Sequence, residues 1–163
     1  MMASLTTDSL VRLNTLGHPV ITFSTSRNWP IPSNAVYAAI SVPARLAKWW
    51  GPSGFTNQFE EFDFRPDGKW IFTMIGPDGA TYPNESVFKR IETDRQVVIQ
   101  HVCQPHFELS ITLEAQADGT LLTWQQTFAD DSVAKAIEHI VVPSNEQNLD
   151  RLAAELGLAP SSK

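Results

Sequence analysis

The features of this sequence able to support chemistry are polar side chains on faces that otherwise read as apolar. His101 follows Val97 and Ile99 at steps of two, and Gln126 stands between Trp124 and Phe128 in the same alternation. Asn145 and Asn148 share a helical stripe with Val141 and Leu152. Residues two apart on a strand, or three or four apart on a helix, point the same way. In an apolar interior each of these groups would cost about 1–3 kcal/mol if left without a partner. They must bond one another, the backbone, trapped water or a ligand. A hollow with a few convergent polar groups is how small-molecule sites are usually built. The bland alternative is that the amides satisfy each other and the helix backbone.

Asn84 and Glu85, in Tyr82-Pro-Asn-Glu85, add an amide and a carboxylate near one end of the strands. Glu85 or His101 could serve as a general base if it came within about 2.6–3.2 Å of a substrate proton. Equally, Asn84 and Glu85 could fix a hairpin. Cys103 follows His101 by two, and in a continuous strand such neighbours stand about 6.5–7 Å apart, too far for direct proton transfer. A small buried thiol is the simpler expectation. His101 and His106 flank Pro105 without a zinc-type set of Cys, His and carboxylate ligands, so no metal and no cofactor are expected. Asp63 and Arg65, two apart, read as a structural ion pair. Glu146 and Asp150 read as a solvated helix face, with Arg151 beside Glu146 or Gln147.

The elements that must carry these groups are legible from periodicity. Val20 to Ser26 has the β-branched content of a first strand. Pro32 opens a helix to about Ile40, and Pro43 opens a second that runs into Trp49-Trp50, with Ser41 as a cap. From Thr56 to Phe128 the pattern is one of antiparallel strands, punctuated by Pro66-Asp-Gly68, Gly76-Pro-Asp-Gly79 and Asp118-Gly119. Phe107, Leu109, Ile111 and Leu113 give the cleanest alternation. Trp70, Phe72 and Met74 give a second row, and Leu122, Trp124, Gln126 and Phe128 another. After Asp131 a helical stripe runs to Leu156, with Pro143 expected to kink or briefly break it.

A long amphipathic helix after six or seven antiparallel strands has to lay its stripe on the concave face of a curved sheet. The expectation is therefore α+β, with two short helices after strand 1 closing one end. Residues 19–158 form the single domain, 1–18 a loosely ordered lead-in with one or two marginal helical turns, and 159–163 a tail.

With 163 residues, 42% hydrophobic and 18% charged, the chain reads as one globular domain. Twelve basic against eighteen acidic residues leave a charge of −6, which argues against nucleic-acid binding, since that needs clustered Lys and Arg. A single cysteine allows no internal disulfide. With no signal-peptide pattern and no apolar run of membrane-spanning length, the expectation is a cytoplasmic protein, monomer or homodimer, without a membrane partner.

Leu46-Ala-Lys-Trp-Trp-Gly-Pro52, followed by Gly54-Phe-Thr-Asn57, is the most distinctive run: two indoles at one helix end, then a Gly-Pro stop. With Glu61-Phe-Asp-Phe-Arg-Pro-Asp-Gly68, Tyr82-Pro-Asn-Glu-Ser-Val-Phe88, Pro105-His-Phe107 and Asn145-Glu-Gln-Asn-Leu-Asp-Arg-Leu152, it resembles the START-like (SRPBCC, helix-grip) superfamily. Within it, the branch related to the activator of the heat-shock protein 90 ATPase is most similar. The resemblance spans about residues 21–156, with Asp67-Gly68 in place of a common Gly-Gly. It implies a helix-grip fold whose cavity lies between sheet and last helix. The cavity candidates are then Trp50, Trp70, Phe72, Met74, Asn84, Glu85, His101, Phe107, Trp124, Gln126, Asn145 and Asn148. A small hydrophobic or aromatic ligand is the first functional expectation. The resemblance also implies two alternatives: a partner-binding module like the chaperone-ATPase activators, and a cyclase- or dehydratase-like enzyme using the same cavity. The branch itself implies no particular reaction.

Overall fold

The computed structural model describes residues 7–13 and 19–158. Strand β1 (Thr7–Leu13) and strand β2 (Pro19–Trp29) precede two short helices, α1 (Ser33–Ser41) and α2 (Pro43–Trp49). Six strands follow: β3 (Thr56–Phe62), β4 (Lys69–Ile75), β5 (Thr81–Glu92), β6 (Gln96–His101), β7 (Phe107–Gln116) and β8 (Gly119–Phe128). Helix α3 (Asp131–Glu155) closes the chain. The sheet order is β1-β2-β8-β7-β6-β5-β4-β3, antiparallel throughout. Strands β2 to β8 are the curved helix-grip sheet.

The rows expected from alternation are present. Trp70 and Phe72, Val97 and Ile99, Leu109, Ile111 and Leu113, and Leu122 and Trp124 are all buried on the inner face. Bulges at Phe59/Glu61 and Phe88/Arg90 add local bend and twist, which helps a sheet wrap around a helix. Asp67 takes a left-handed φ of 67° in the β3–β4 turn, where Asp is tolerated.

Several local readings need correction. Residues 7–13, expected to be loosely ordered or helical, form a strand paired along its length with β2, from Thr7↔Thr25 to Leu13↔Pro19. This eighth strand covers backbone groups that β2 would otherwise expose as an edge. Thr7–Leu13 lacks the strict apolar–polar alternation that marks a half-buried strand, so its pairing with the next strand leaves little local signal. Residues 1–6, 14–18 and the tail at 159–163 lie outside the described residues.

Ser41 is the last residue of α1 and caps nothing; Val42 precedes α2, and Pro43 supplies its first turn. Pro143 lies inside an unbroken α3. Pro143 and His139, four residues earlier, are both exposed, so water can take the carbonyl that the missing N–H leaves free. At the start of α3, Asp130 accepts from Ser132 Oγ at 2.6 Å and, as an N-cap, from Ser132 N at 2.9 Å, and these bonds hold the pKa of its exposed carboxyl below the ordinary value.

The buried core has two parts. The larger gathers α1, α2, the C-terminal half of α3 and the aromatic rows of β4 to β8. The smaller comprises Ile21, Phe23, Phe128 and Ala134, with Ile137, Val141 and Val142 half-buried against it. His101, Gln126, Asn145 and Asn148 are buried as well.

Candidate functional site

One continuous row crosses the sheet through paired residues: Phe62, Trp70, Ser86, His101, Phe107, Phe128 and Ile21. A neighbouring row runs Phe88, Ile99, Leu109, Gln126, Phe23, and the next brings Ile111, Trp124 and Thr25 together. Side chains at paired positions share a face, so these rows put Trp70, His101, Phe107, Trp124 and Gln126 on the surface that α3 covers.

Trp50 enters this interior from the C-terminal end of α2. Its ring lies 5.0 Å from Trp70, 5.6 Å from Trp49 and 5.8 Å from Trp124, centroid to centroid, and Trp70 stacks on Phe72 at 4.2 Å. The space expected as a hollow is largely occupied by Trp50. Two surface concavities, of about 350 and 270 Å³, lie elsewhere: one beside Pro30 and the β7–β8 turn, the other between Lys48, Arg151 and Glu155.

The four interior polar groups divide into three arrangements. Asn145 Nδ2 donates to Gln126 Oε1 at 3.0 Å, joining helix to sheet. Asn148 Oδ1 accepts from Gly51 N at 2.9 Å, holding the loop behind Trp50. His101 stacks on Phe107 at 4.6 Å and lies between two oxygens: Pro105 O, 2.7 Å from Nδ1, and Asn84 Oδ1, 2.7 Å from Nε2. Burial pushes the His101 imidazole below its ordinary pKa; the backbone bonds to Pro105 and Cys103 pull the other way, and nearby His106 lowers it further. Asn145 and Gln126 therefore satisfy each other, whereas Asn148 serves the loop at Gly51 rather than another amide or the helix backbone.

Two indoles do not. Trp70 Nε1 and Trp124 Nε1 are buried without a hydrogen-bond partner, as is Thr25 Oγ1 across the sheet from Trp124.

Other expected site residues fall differently. Glu85 is exposed between half-buried Asn84 and buried Ser86, so alternation turns its carboxylate away from the interior. Met74, half-buried, packs against the loop: a Cβ on Gly51 would stand 2.6 Å from its Cε, and Gly51 has a φ of +97°. Cys103 is not held at the strand spacing. Strand β6 ends at His101, the chain turns, and Sγ returns to 3.4 Å from His101 Nε2. Among the described residues, no group of three or more His, Cys, Asp or Glu could hold a metal. Asp63 and Arg65 do pair, at 2.8 Å.

Two arginines carry more than the sequence reading assigned. Arg151 does not pair with Glu146. Its Nη1 donates to the carbonyls of Trp50, Gly51 and Pro52, and its Nη2 to those of Lys48 and Phe55, at 2.9–3.1 Å. One guanidinium thus shapes the loop carrying Trp50, and partial burial lowers its pKa from the ordinary value. Arg27, only 3% exposed, binds Asp150 at 3.0 Å and Glu146 at 2.9 Å, so those carboxylates are not merely a solvated face. The alternation Ile21, Phe23, Thr25, Arg27 places Arg27 inward, and a buried cation calls for acids; that signal was available.

Comparison with known proteins follows this geometry. The family described as Activator of Hsp90 ATPase homolog 1-like protein matches residues 30–157. A solution structure of a protein from Arthrobacter aurescens is 20% identical with a TM-score of 0.78, covering 94% of this chain and 95% of its own. A crystal structure of protein Ms6760 from Mycobacterium smegmatis is 21% identical with a TM-score of 0.76, covering 94% and 98%. The AHSA1 protein of Silicibacter pomeroyi is 22% identical with a TM-score of 0.67, covering 83% and 97%. At these identities the likeness is one of fold. No curated protein matches the chain.

Proposed function

Because this chain belongs to the Activator of Hsp90 ATPase homolog 1-like family, with its helix-grip fold, we propose that it binds a small aromatic or hydrophobic molecule bearing a hydrogen-bond acceptor between α3 and the sheet. The observation that carries this reading is the pair of unpartnered indole donors, Trp70 Nε1 and Trp124 Nε1, on either side of Trp50. A buried donor without an acceptor costs about 1–3 kcal/mol. A carbonyl or ether oxygen placed between them would recover that cost, and an aromatic body would suit the surrounding rings.

Trp50 must give way for a ligand of any size to enter. It is the most exposed of the three interior indoles, at 9% against 0% and 1%, and it sits at a helix end rather than within a strand. Arg151 and Asn148 hold the loop backbone behind it, which leaves the side chain as the movable part. The ligand would then replace Trp50 against Trp70 and Trp124.

Thermal unfolding with matched aromatic compounds tests the proposal. An aromatic ketone such as acetophenone should raise Tm, because a ligand bound to the folded state stabilises it, and the corresponding hydrocarbon, ethylbenzene, should raise it less. Tryptophan fluorescence should change with the ketone over the same concentrations. If neither compound shifts Tm and the emission is unchanged, the unpartnered donors are a cost of packing and the ligand reading fails. The same reading places the protein in the cytoplasm, on its single cysteine; among the described residues, no helix is long and apolar enough to cross a membrane.

A further inference from the structure

A second cluster lies where β5 begins and β6 ends, at the edge of the interior. Cys103 Sγ is 3.4 Å from His101 Nε2, and Asn84 Oδ1 is 2.7 Å from the same nitrogen. Asn84 Nδ2 donates to Tyr82 O at 2.8 Å, which fixes the amide so that its oxygen, not its nitrogen, faces the ring. On the other side, Pro105 O can only accept, so His101 Nδ1 carries a proton. Both ring nitrogens therefore face oxygen acceptors. A neutral ring with a bare Nε2 would set its lone pair against that of Asn84 at 2.7 Å. A proton on Nε2 turns that contact into a hydrogen bond, and the adjacent proton donor is the Cys103 thiol. Burial keeps the imidazole neutral at rest, which leaves Nε2 free to take the thiol proton as sulfur attacks, and Asn84 Oδ1 then accepts from the new N–H.

We propose that Cys103 is a nucleophilic thiol, with His101 as its base and Asn84 as the residue that orients the ring, and that it forms a thioether with α,β-unsaturated carbonyl compounds. His101 Nε2 takes the thiol proton. The thiolate bonds to the β-carbon, the C=C π pair moves to give an enolate, and the Nε2 proton then passes to the α-carbon. The adduct is neutral, His101 is regenerated, and no oxidant or metal enters the balance. Cys103 is half-buried in the turn after β6, where its Sγ also lies 3.9 Å from Glu85 O.

The choice of a carbonyl electrophile rests on the ligand reading above. Trp70, Ser86 and His101 are consecutive members of one row, and the residue between the two rings is a buried serine with little bulk. The unpartnered Trp70 donor is thus two strand spacings, roughly 10 Å at the backbone, from the residue that serves the thiol. A conjugated carbonyl offers an acceptor to one and an electrophilic carbon to the other.

Adduct formation with acrylamide, followed by intact mass, tests the proposal with the protein itself as reference. An ordinary thiol is only a few per cent ionised at pH 7, which leaves room for an enhancement of more than about tenfold. The native protein should react at least about tenfold faster at pH 7 than the same chain unfolded in urea, although the unfolded thiol is fully accessible. In His101→Gln with native circular dichroism, the rate should fall to the unfolded value or below. Should that variant not fold, Asn84→Ala, which keeps the imidazole but removes the group that orients it, should lose at least about threefold. A native rate at or below the unfolded one, or enhancement that survives both substitutions, overturns the proposal. Acrylamide is too small to need the interior, so failure of acetophenone to shift Tm leaves this rate unchanged and the two readings fail separately.

Discussion

Replacing Trp50 with alanine probes the interior most directly. The side chain is 9% exposed and lies between 5.0 and 5.8 Å from three other indoles. A buried aromatic of this kind removes about 150–250 Å² from water, worth about 4–6 kcal/mol at ~25 cal/mol/Å². Measured aromatic-to-alanine substitutions in cores cost about 3–5 kcal/mol. For a domain of this length, about 2–4 °C of Tm is lost per kcal/mol, so Trp50→Ala should melt about 6–20 °C lower. Its backbone carbonyl, which accepts from Asn57 and Arg151, is untouched, so the loop should hold and a true hollow should open. Acetophenone at a hundredfold excess over its Kd should return about 2.7 kcal/mol, or about 5–11 °C. Ethylbenzene, of similar shape but without an acceptor, should return less, because Trp70 and Trp124 keep their unpaired donors. Equal recovery by both compounds would show that the indole donors take no part in recognition. No recovery by either would show that the space between helix and sheet collapses and is not a binding site.

Other consequences can be measured independently. Arg27→Ala removes the cation from between Glu146 and Asp150; breaking a buried pair costs about 3–5 kcal/mol, and the half-exposed Asp150 side chain reduces this to about 2–3, readable as a lower urea midpoint. Arg27→Met keeps the buried stem and should cost less than half as much. Arg151→Ala should free the Trp50 loop, giving faster amide exchange at Gly51 and Ser53 than at the β6–β7 pairing; unchanged exchange would refute the clamp. Gly51→Ala should cost at least about 1–2 kcal/mol from its left-handed φ, and more from contact with Met74. The His101 imidazole is harder to protonate in the fold than in the unfolded chain, so the unfolded state binds more protons as pH falls below about 6.5. Stability should therefore be full above that pH and decline toward the lowered folded value, and His101→Gln should remove this part of the slope in urea melts.

How far the site was legible follows from the range of each interaction. Inward alternation of Trp70, Phe72, Trp124 and Gln126 is set by the period of a strand, and it placed them on the covered face. The stripe through Asn145 and Asn148 likewise followed from helical period, and the double tryptophan with its Gly-Pro stop marked the loop that α3 grips. Glu85 was misjudged because a family motif was read without its strand parity: Ser86 points inward, so Glu85 cannot. Cys103 was misjudged because the reading extended β6 two residues too far, and a turn replaced a fixed spacing by a close approach.

What the residues alone determined is the class of architecture: local periods of two and 3.6, turn residues at the hairpins and a matching family signature suffice for β2 to β8, the helices and their order, but not for β1. The tertiary structure decided what stands in the space between sheet and helix. Whether Trp50 fills that space or lines it, and whether Arg151 clamps a loop or a carboxylate, are settled by contacts between residues far apart in sequence. Such contacts depend on the volume and hydrogen-bonding groups left over once every element is docked, and no local window of sequence contains that remainder.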